Sequence, residues 1–149
     1  MPTVARRRSV DAAPDVVWRV VSDPERLSEW WPGVARVEEA SPHAWTTVMT
    51  SSRGKSVRAD YTRAECDEPR RIAWRQELEE SPFERILRES VTAVDLEPEE
   101  GGGTAVKLCL RHRARGFGRF GYFQLRLAAA RQVDQALERL GAVVEREGR

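Results

Sequence analysis

Histidine, cysteine and lysine are almost missing from this chain: two of each occur in 149 residues. Cys66 and Cys109 lie far apart and belong to no ligand spacing, so neither a disulfide scaffold nor a zinc site is expected. Both read as small buried apolar residues. No apolar run approaches the roughly 18 residues of a membrane span. The start passes from Arg6-Arg7-Arg8 into alternating sequence, without the apolar stretch and cleavage site of a leader. A cytoplasmic protein with no membrane span is expected. A large excess of either charge is missing too. The formal net charge of +1 removes the overall electrostatic footprint of a nucleic-acid binder. No metal cluster, phosphate loop or nucleophile elbow occurs, so no cofactor is expected.

What remains is one domain, 1–149, in which 40% hydrophobic residues suffice for a real core. The last third organises it. No proline interrupts Phe120 to Glu147, and Leu127, Ala130, Val133 or Asp134, Leu137, Leu140 and Val144 recur at steps of three and four. This spacing predicts a helix of more than six turns with one apolar stripe. Gly116, Gly118 and Gly121 spell G-x-G-x-x-G before it, but the helix is the last element. No second parallel strand follows to complete a dinucleotide site. The glycines read as a sharp turn into the helix.

Upstream, Thr3 to Val10 reads as a first strand. Pro14 and Pro24 each suit the first turn of a short helix, the second ending at Trp30-Trp31-Pro32-Gly33. Six strands follow: Val34 to Ala40, Ala44 to Ser51, Lys55 to Cys66, Ile72 to Glu79, Arg85 to Leu96 and Thr104 to Arg113. Their connections, Ser81-Pro82 and Gly101-Gly102-Gly103 among them, are short enough to require antiparallel neighbours. Ile72, Trp74, Gln76 and Leu78 share one face of a strand, and Val106, Leu108, Leu110 and His112 share one face of another. Parity changes along Lys55 to Cys66, which predicts a bulge near Thr62.

Val10 to Trp18, Ser22-Asp23-Pro24-Glu25 and Trp30-Trp31-Pro32-Gly33-Val34 resemble the opening of the START-like, polyketide cyclase/dehydrase superfamily. Asp67-Glu68-Pro69-Arg70-Arg71-Ile72-Ala73-Trp74 resembles the family's turn into its fifth strand. Leu96-Glu97-Pro98 with Gly103-Thr104-Ala105-Val106 resembles its last hairpin. The resemblance spans nearly the whole chain and implies an α+β helix-grip fold. Its seven-stranded antiparallel sheet would have order 1-7-6-5-4-3-2 and curl around the long helix, with a cavity between them.

The inward strand positions and the first half of the helix would line such a cavity. The candidate ligand-binding residues are Trp31, Tyr61, Trp74, Gln76, Arg88, Ser90, Thr92, Val94, Leu108, Leu110, Phe120, Phe123, Leu127 and Ala130. Plain core packing is the competing reading for the aromatics. His112 is the one histidine on an inward face and the candidate catalytic acid or base, although no carboxylate is clearly placed to orient it. Arg88 could hold a carboxylate or enolate. The expected ligand is small and apolar or aromatic: a lipid, an isoprenoid or an aromatic polyketide.

Three functions compete: ligand binding and carriage, a cyclase or dehydratase with His112 or a tyrosine as proton shuttle, and a protein-interaction module with a filled cavity. A void holding Gln76, Thr92 and His112 together would favour chemistry, and an apolar one carriage. Six arginines and no acid fall between Arg111 and Val133. If β-pairing sets Arg6–Arg8 beside Arg111–Arg119, that edge could dock an acidic partner.

Overall fold

A computed structural model describes residues 3–50, 53–81, 83–116 and 119–148. Strand β1 (Thr3–Val10) leads to α1 (Pro14–Val21), a 3-10 turn (Pro24–Arg26) and α2 (Leu27–Trp30). Proline opens α1 and the 3-10 turn, where its missing N–H costs nothing. The Asp23 side chain caps the turn by accepting from the Glu25 amide at 3.0 Å. Trp31 is already extended, as a residue before proline must be, and ends α2.

Strands β2 (Val34–Glu38), β3 (Ala44–Thr50), β4 (Ser56–Asp67), β5 (Arg71–Glu77), β6 (Leu87–Pro98) and β7 (Thr104–Ala114) follow, and α3 (Arg119–Glu147) closes the chain. The seven strands form one antiparallel sheet in the order β1-β7-β6-β5-β4-β3-β2. This is the order implied by the resemblance. One approach in it requires glycine: a Cβ at Gly103 would stand 2.8 Å from the Val10 carbonyl oxygen. There the β6–β7 turn presses on the end of β1, and the Thr104 hydroxyl donates to the Ala12 carbonyl at 2.7 Å.

α3 packs chiefly against β1, α2 and β7. Its buried stripe is Ala129, Val133, Ala136, Leu137, Leu140, Val143 and Val144, facing inward residues such as Val4, Val106 and Leu108 in one core. The expected phase holds from Val133 onward. Before that it holds only for Ala130, half-buried against the core: Phe123 is 63% and Leu127 43% exposed, so neither reaches the sheet. Stepping back from Val133 by fours leads to Ala129 and Leu125, and a helix cannot bury Leu127 on the same side. The side chain of Phe120, and Gly118 and Pro82 altogether, lie outside the described residues.

Polar contacts hold α3 unevenly. Arg26 donates to Glu29 at 2.7 and 2.9 Å and to Glu147, which ties the last turn of α3 to α2. Hydrogen bonds to the two carboxylates raise the Arg26 pKa, and the same bonds from Arg26 lower those of Glu29 and Glu147. Glu145 accepts from the Asp11 amide at 2.9 Å, and Asp134 meets Arg6 at 3.3 Å. Gly121 to Val133 make no side-chain hydrogen bond or ion pair among the described residues.

The bulge in β4 falls between Arg63 and Glu65, near Thr62 as expected. Two further expectations change. The β1–β7 register sets Thr3 opposite Arg111 and Arg6–Arg8 opposite Leu108, Lys107 and Val106, so the two arginine groups do not sit side by side. Cys66 and Cys109 are free thiols, exposed and half-buried respectively, and not core residues.

Replacing Leu140, fully buried, with Ala should cost about 2–5 kcal/mol. Replacing Phe123 with Ala should cost no more than about 0.5 kcal/mol. Both are read from urea midpoints, and equal losses would contradict this phase for α3.

Candidate ligand cavity

Where α3 lacks large inward side chains, it leaves a gap over the sheet. Ala128 and Ala129, with Leu125 and Gln132, roof a cavity of about 220 Å³ whose floor is β3 to β7 and whose sides include Leu27, Trp31 and Val34. Phe83, Ile86 and Leu87, from the loop between β5 and β6 and the start of β6, complete the lining.

The floor has an order that follows from strand register. Tyr61 pairs with Gln76 across β4 and β5, and Ser90 pairs with His112 across β6 and β7. Arg75 pairs with Val91, and Gln76 and Ser90 are the next residues outward on the same rung. Tyr61, Gln76, Ser90 and His112 therefore form one polar row across four strands. The adjoining row contains Trp74, Thr92 and Leu110. All seven line the cavity.

Aromatic packing fixes one wall. Trp74 lies edge-on to Trp30, Trp31 and Trp45 at centroid distances of 6.3, 6.4 and 6.1 Å. Tyr61 stacks on Trp45 at 6.1 Å with 12° between the planes. Four of the five tryptophans thus join one cluster, and quadrupolar edge-to-face contacts give it a preferred geometry.

The cavity has no Asp, Glu, Lys or Arg on its walls among the described residues. Burial therefore acts on its two titratable groups without a compensating charge. Desolvation lowers the His112 pKa, which keeps the imidazole neutral near pH 7. Desolvation pushes the Tyr61 phenol up to about 12, against a hydrogen bond with Thr47 that acts in the opposite sense. Gln76 Nε2 and His112 Nδ1 are buried and have no hydrogen-bond partner among the described residues. A buried polar atom left unpaired costs free energy until something satisfies it. No described cluster of His, Cys, Asp or Glu could hold a metal ion.

Of the candidate residues, Trp31, Tyr61, Trp74, Gln76, Ser90, Thr92, Leu110 and His112 line the cavity. Leu108 is fully buried in the core beyond it. Arg88 is exposed, because a register irregularity between Leu87 and Glu89 turns Leu87 inward in its place. Phe123 and Leu127 face out. Leu125, Ala128, Ala129 and Gln132 went unrecognised, although stepping back from Val133 would have found Ala129 and Leu125. Thr47 and Met49 sit on β3, where Trp45 to Val48 are all buried and alternation is lost.

A profile of the family described as polyketide cyclase / dehydrase and lipid transport matches residues 1–145. The chain belongs to that family. Solved structures agree on the fold. The Zhui aromatase/cyclase from Streptomyces sp. R1128 is 22% identical, with a TM-score of 0.75 over 99% of this chain and 95% of its own. A protein from Thermus thermophilus is 23% identical, with a TM-score of 0.73 over 99% of this chain and 100% of its own. The di-domain ARO/CYC StfQ of the steffimycin biosynthetic pathway is 17% identical, with a TM-score of 0.78 over 98% of this chain and 51% of its own. At these identities the likeness extends to the helix-grip fold alone. A search of curated protein sequences returned no match.

The lowered His112 pKa has a testable sign. Its unfolded value is about 6.5, so below that pH the unfolded chain binds more protons at this site than the folded one. The contribution to stability is whole above about pH 6.5 and is lost as pH falls toward the folded-state pKa. Urea unfolding at about pH 7.5 and about pH 5.5 should show His112→Gln losing less stability on acidification than the native chain. The same loss in both proteins would contradict the buried, neutral imidazole.

Proposed function

We propose that the cavity binds a small, flat, largely apolar ligand that carries oxygen atoms along one edge. The polar row is the observation that carries this reading. Tyr61 and His112 stand three strand spacings apart, about 14 Å along the sheet and less across its curl, with Gln76 and Ser90 between them. The remaining wall is mostly hydrocarbon and indole, as a small-molecule pocket requires. A ligand oxygen accepting from Gln76 Nε2 would satisfy an atom that the protein leaves unpaired. The volume of about 220 Å³ is below the usual range of about 300–1,000 Å³. It favours a compact aromatic ligand over a long acyl or isoprenoid chain.

A second reading, a cyclase or dehydratase, draws support from the same void, because Gln76, Thr92 and His112 line it together. A neutral imidazole can take a proton from carbon next to a ketone, and a protonated phenol can stabilise the resulting enolate oxygen. The family and the aromatase/cyclase neighbours lend weight to that chemistry. An interaction module presupposed a filled interior and gains nothing from the cavity. An acidic partner at β1 draws little support, since Arg6 and Arg7 already meet Asp134 and Glu97.

Calorimetric titration with naphthalene and 2-naphthol tests the row. Gln76→Leu should weaken 2-naphthol about fivefold, one hydrogen bond's worth, and leave naphthalene unchanged. Equal effects on both probes, or no binding of either by the native chain, would refute the reading. A poly-keto substrate separates the two functions. An enzyme would lose turnover about a hundredfold in His112→Gln with little change in 2-naphthol affinity, whereas a carrier would show no turnover in either protein.

A further inference from the structure

The large apolar side chains left in water are not scattered. Among the described residues they are Phe123, Leu127 and Ile86, at 63%, 43% and 39% exposure. Phe123 and Leu127 stand on α3 and Ile86 on the loop before β6, two segments that both contribute to the cavity wall. Ile86 lines the cavity as well, together with Leu125 and Ala129. Phe123 and Leu127 are neighbours on one stripe of α3, on the side of the helix away from that roof.

Arg126 and Arg131 lie on either side of this stripe and are exposed. Neither has a hydrogen bond or ion pair with any described residue. No acid occurs between Arg111 and Val133, so nothing on this half of the helix offsets them. Exposed Arg115 adjoins the loop, its amide donating to the Ile86 carbonyl at 3.0 Å. Glu84 is also exposed there and accepts from the Glu80 amide at 3.1 Å, so the loop is mixed in charge and the helix carries the positive field.

We infer that this face docks on an anionic lipid surface. Phe123, Leu127 and Ile86 enter the headgroup layer, and Arg126 and Arg131 meet lipid phosphates. Charge complementarity selects an anionic occupant, and shape selects a bilayer over an acidic protein. The outer side of a single helix is convex and offers no pocket for the buried anchors on which protein interfaces depend. Interfacial helices need only an apolar ridge flanked by cations. Docking in this way would bring the cavity mouth to the membrane, so an apolar ligand could enter without crossing water. The inference goes beyond the ligand-binding reading and is read on the unliganded protein, so either can fail alone.

Co-sedimentation of the full chain with phosphatidylcholine vesicles, with and without phosphatidylserine, tests it. Binding should require phosphatidylserine and fall as salt shortens the Debye length. The double variant Phe123→Ser, Leu127→Ser should lose about tenfold or more in partitioning. Arg126→Gln and Arg131→Gln should lose about fivefold each. All variants should keep their far-UV circular dichroism and their affinity for 2-naphthol. Sedimentation with neither vesicle, or equal partitioning of native and variant chains, would overturn the inference. So would a native dimer that the double variant dissociates with no vesicle binding, which would assign the ridge to a second copy. Binding of polyglutamate without vesicle binding would assign it to an acidic protein.

Discussion

Everything in this molecule depends on one helix covering a sheet that is too wide for it. A seven-stranded sheet with an apolar inner face must be shielded from water, and α3 offers a single inward stripe. Its second half meets that demand with Val133, Leu137, Leu140 and Val144, packed tightly and tied by Glu145 and Glu147 to the start of the chain and to α2. Its first half turns Ala129 inward and, from Gly121 to Val133, makes no polar tether among the described residues. Close packing at one end and a void at the other follow from the same sequence, because an interior tolerates a gap only where no side chain is large enough to fill it. Gly116 at φ +70° lets the chain turn off β7 just before this half.

The void is chemically uneven, and the sheet register makes it so. A residue such as Gln76 or His112 inside an apolar chamber raises the cost of folding unless a partner is found. None is supplied by the described residues. Without a carboxylate nearby, His112 stays neutral and Tyr61 stays protonated, which leaves one group suited to accept a proton and one suited to donate a hydrogen bond. These states suit ligand recognition and proton transfer equally.

The short proline-led helices, the antiparallel run from β2 to β7 and the inward set Trp74, Gln76, Leu110 and His112 were legible in the sequence because alternation and turn residues are local signals, whereas the place of β1 beside β7 came from the family resemblance. The phase of the first half of α3 was misread because Phe123 and Leu127 are strongly hydrophobic, whereas of the roof residues Leu125, Ala128, Ala129 and Gln132 only Leu125 is. Hydrophobicity there marked an outer ridge, and only stepping back from Val133 would have found the roof. Arg88 was misassigned by extending parity through an irregularity between Leu87 and Glu89, a feature set by pairing with β7 and invisible in β6 alone. The β1–β7 register was likewise a long-range property that the local pattern of Arg6–Arg8 could not carry.

The central claim is that the gap under the first half of α3 is where a ligand sits. Filling it from the helix side tests that most directly, through Ala129→Phe, at a position 3% exposed that roofs the cavity. On this account the variant folds, keeps its melting temperature within a few degrees, and no longer binds 2-naphthol in a calorimetric titration. A folded variant that binds 2-naphthol with native affinity would show that the ligand lies elsewhere.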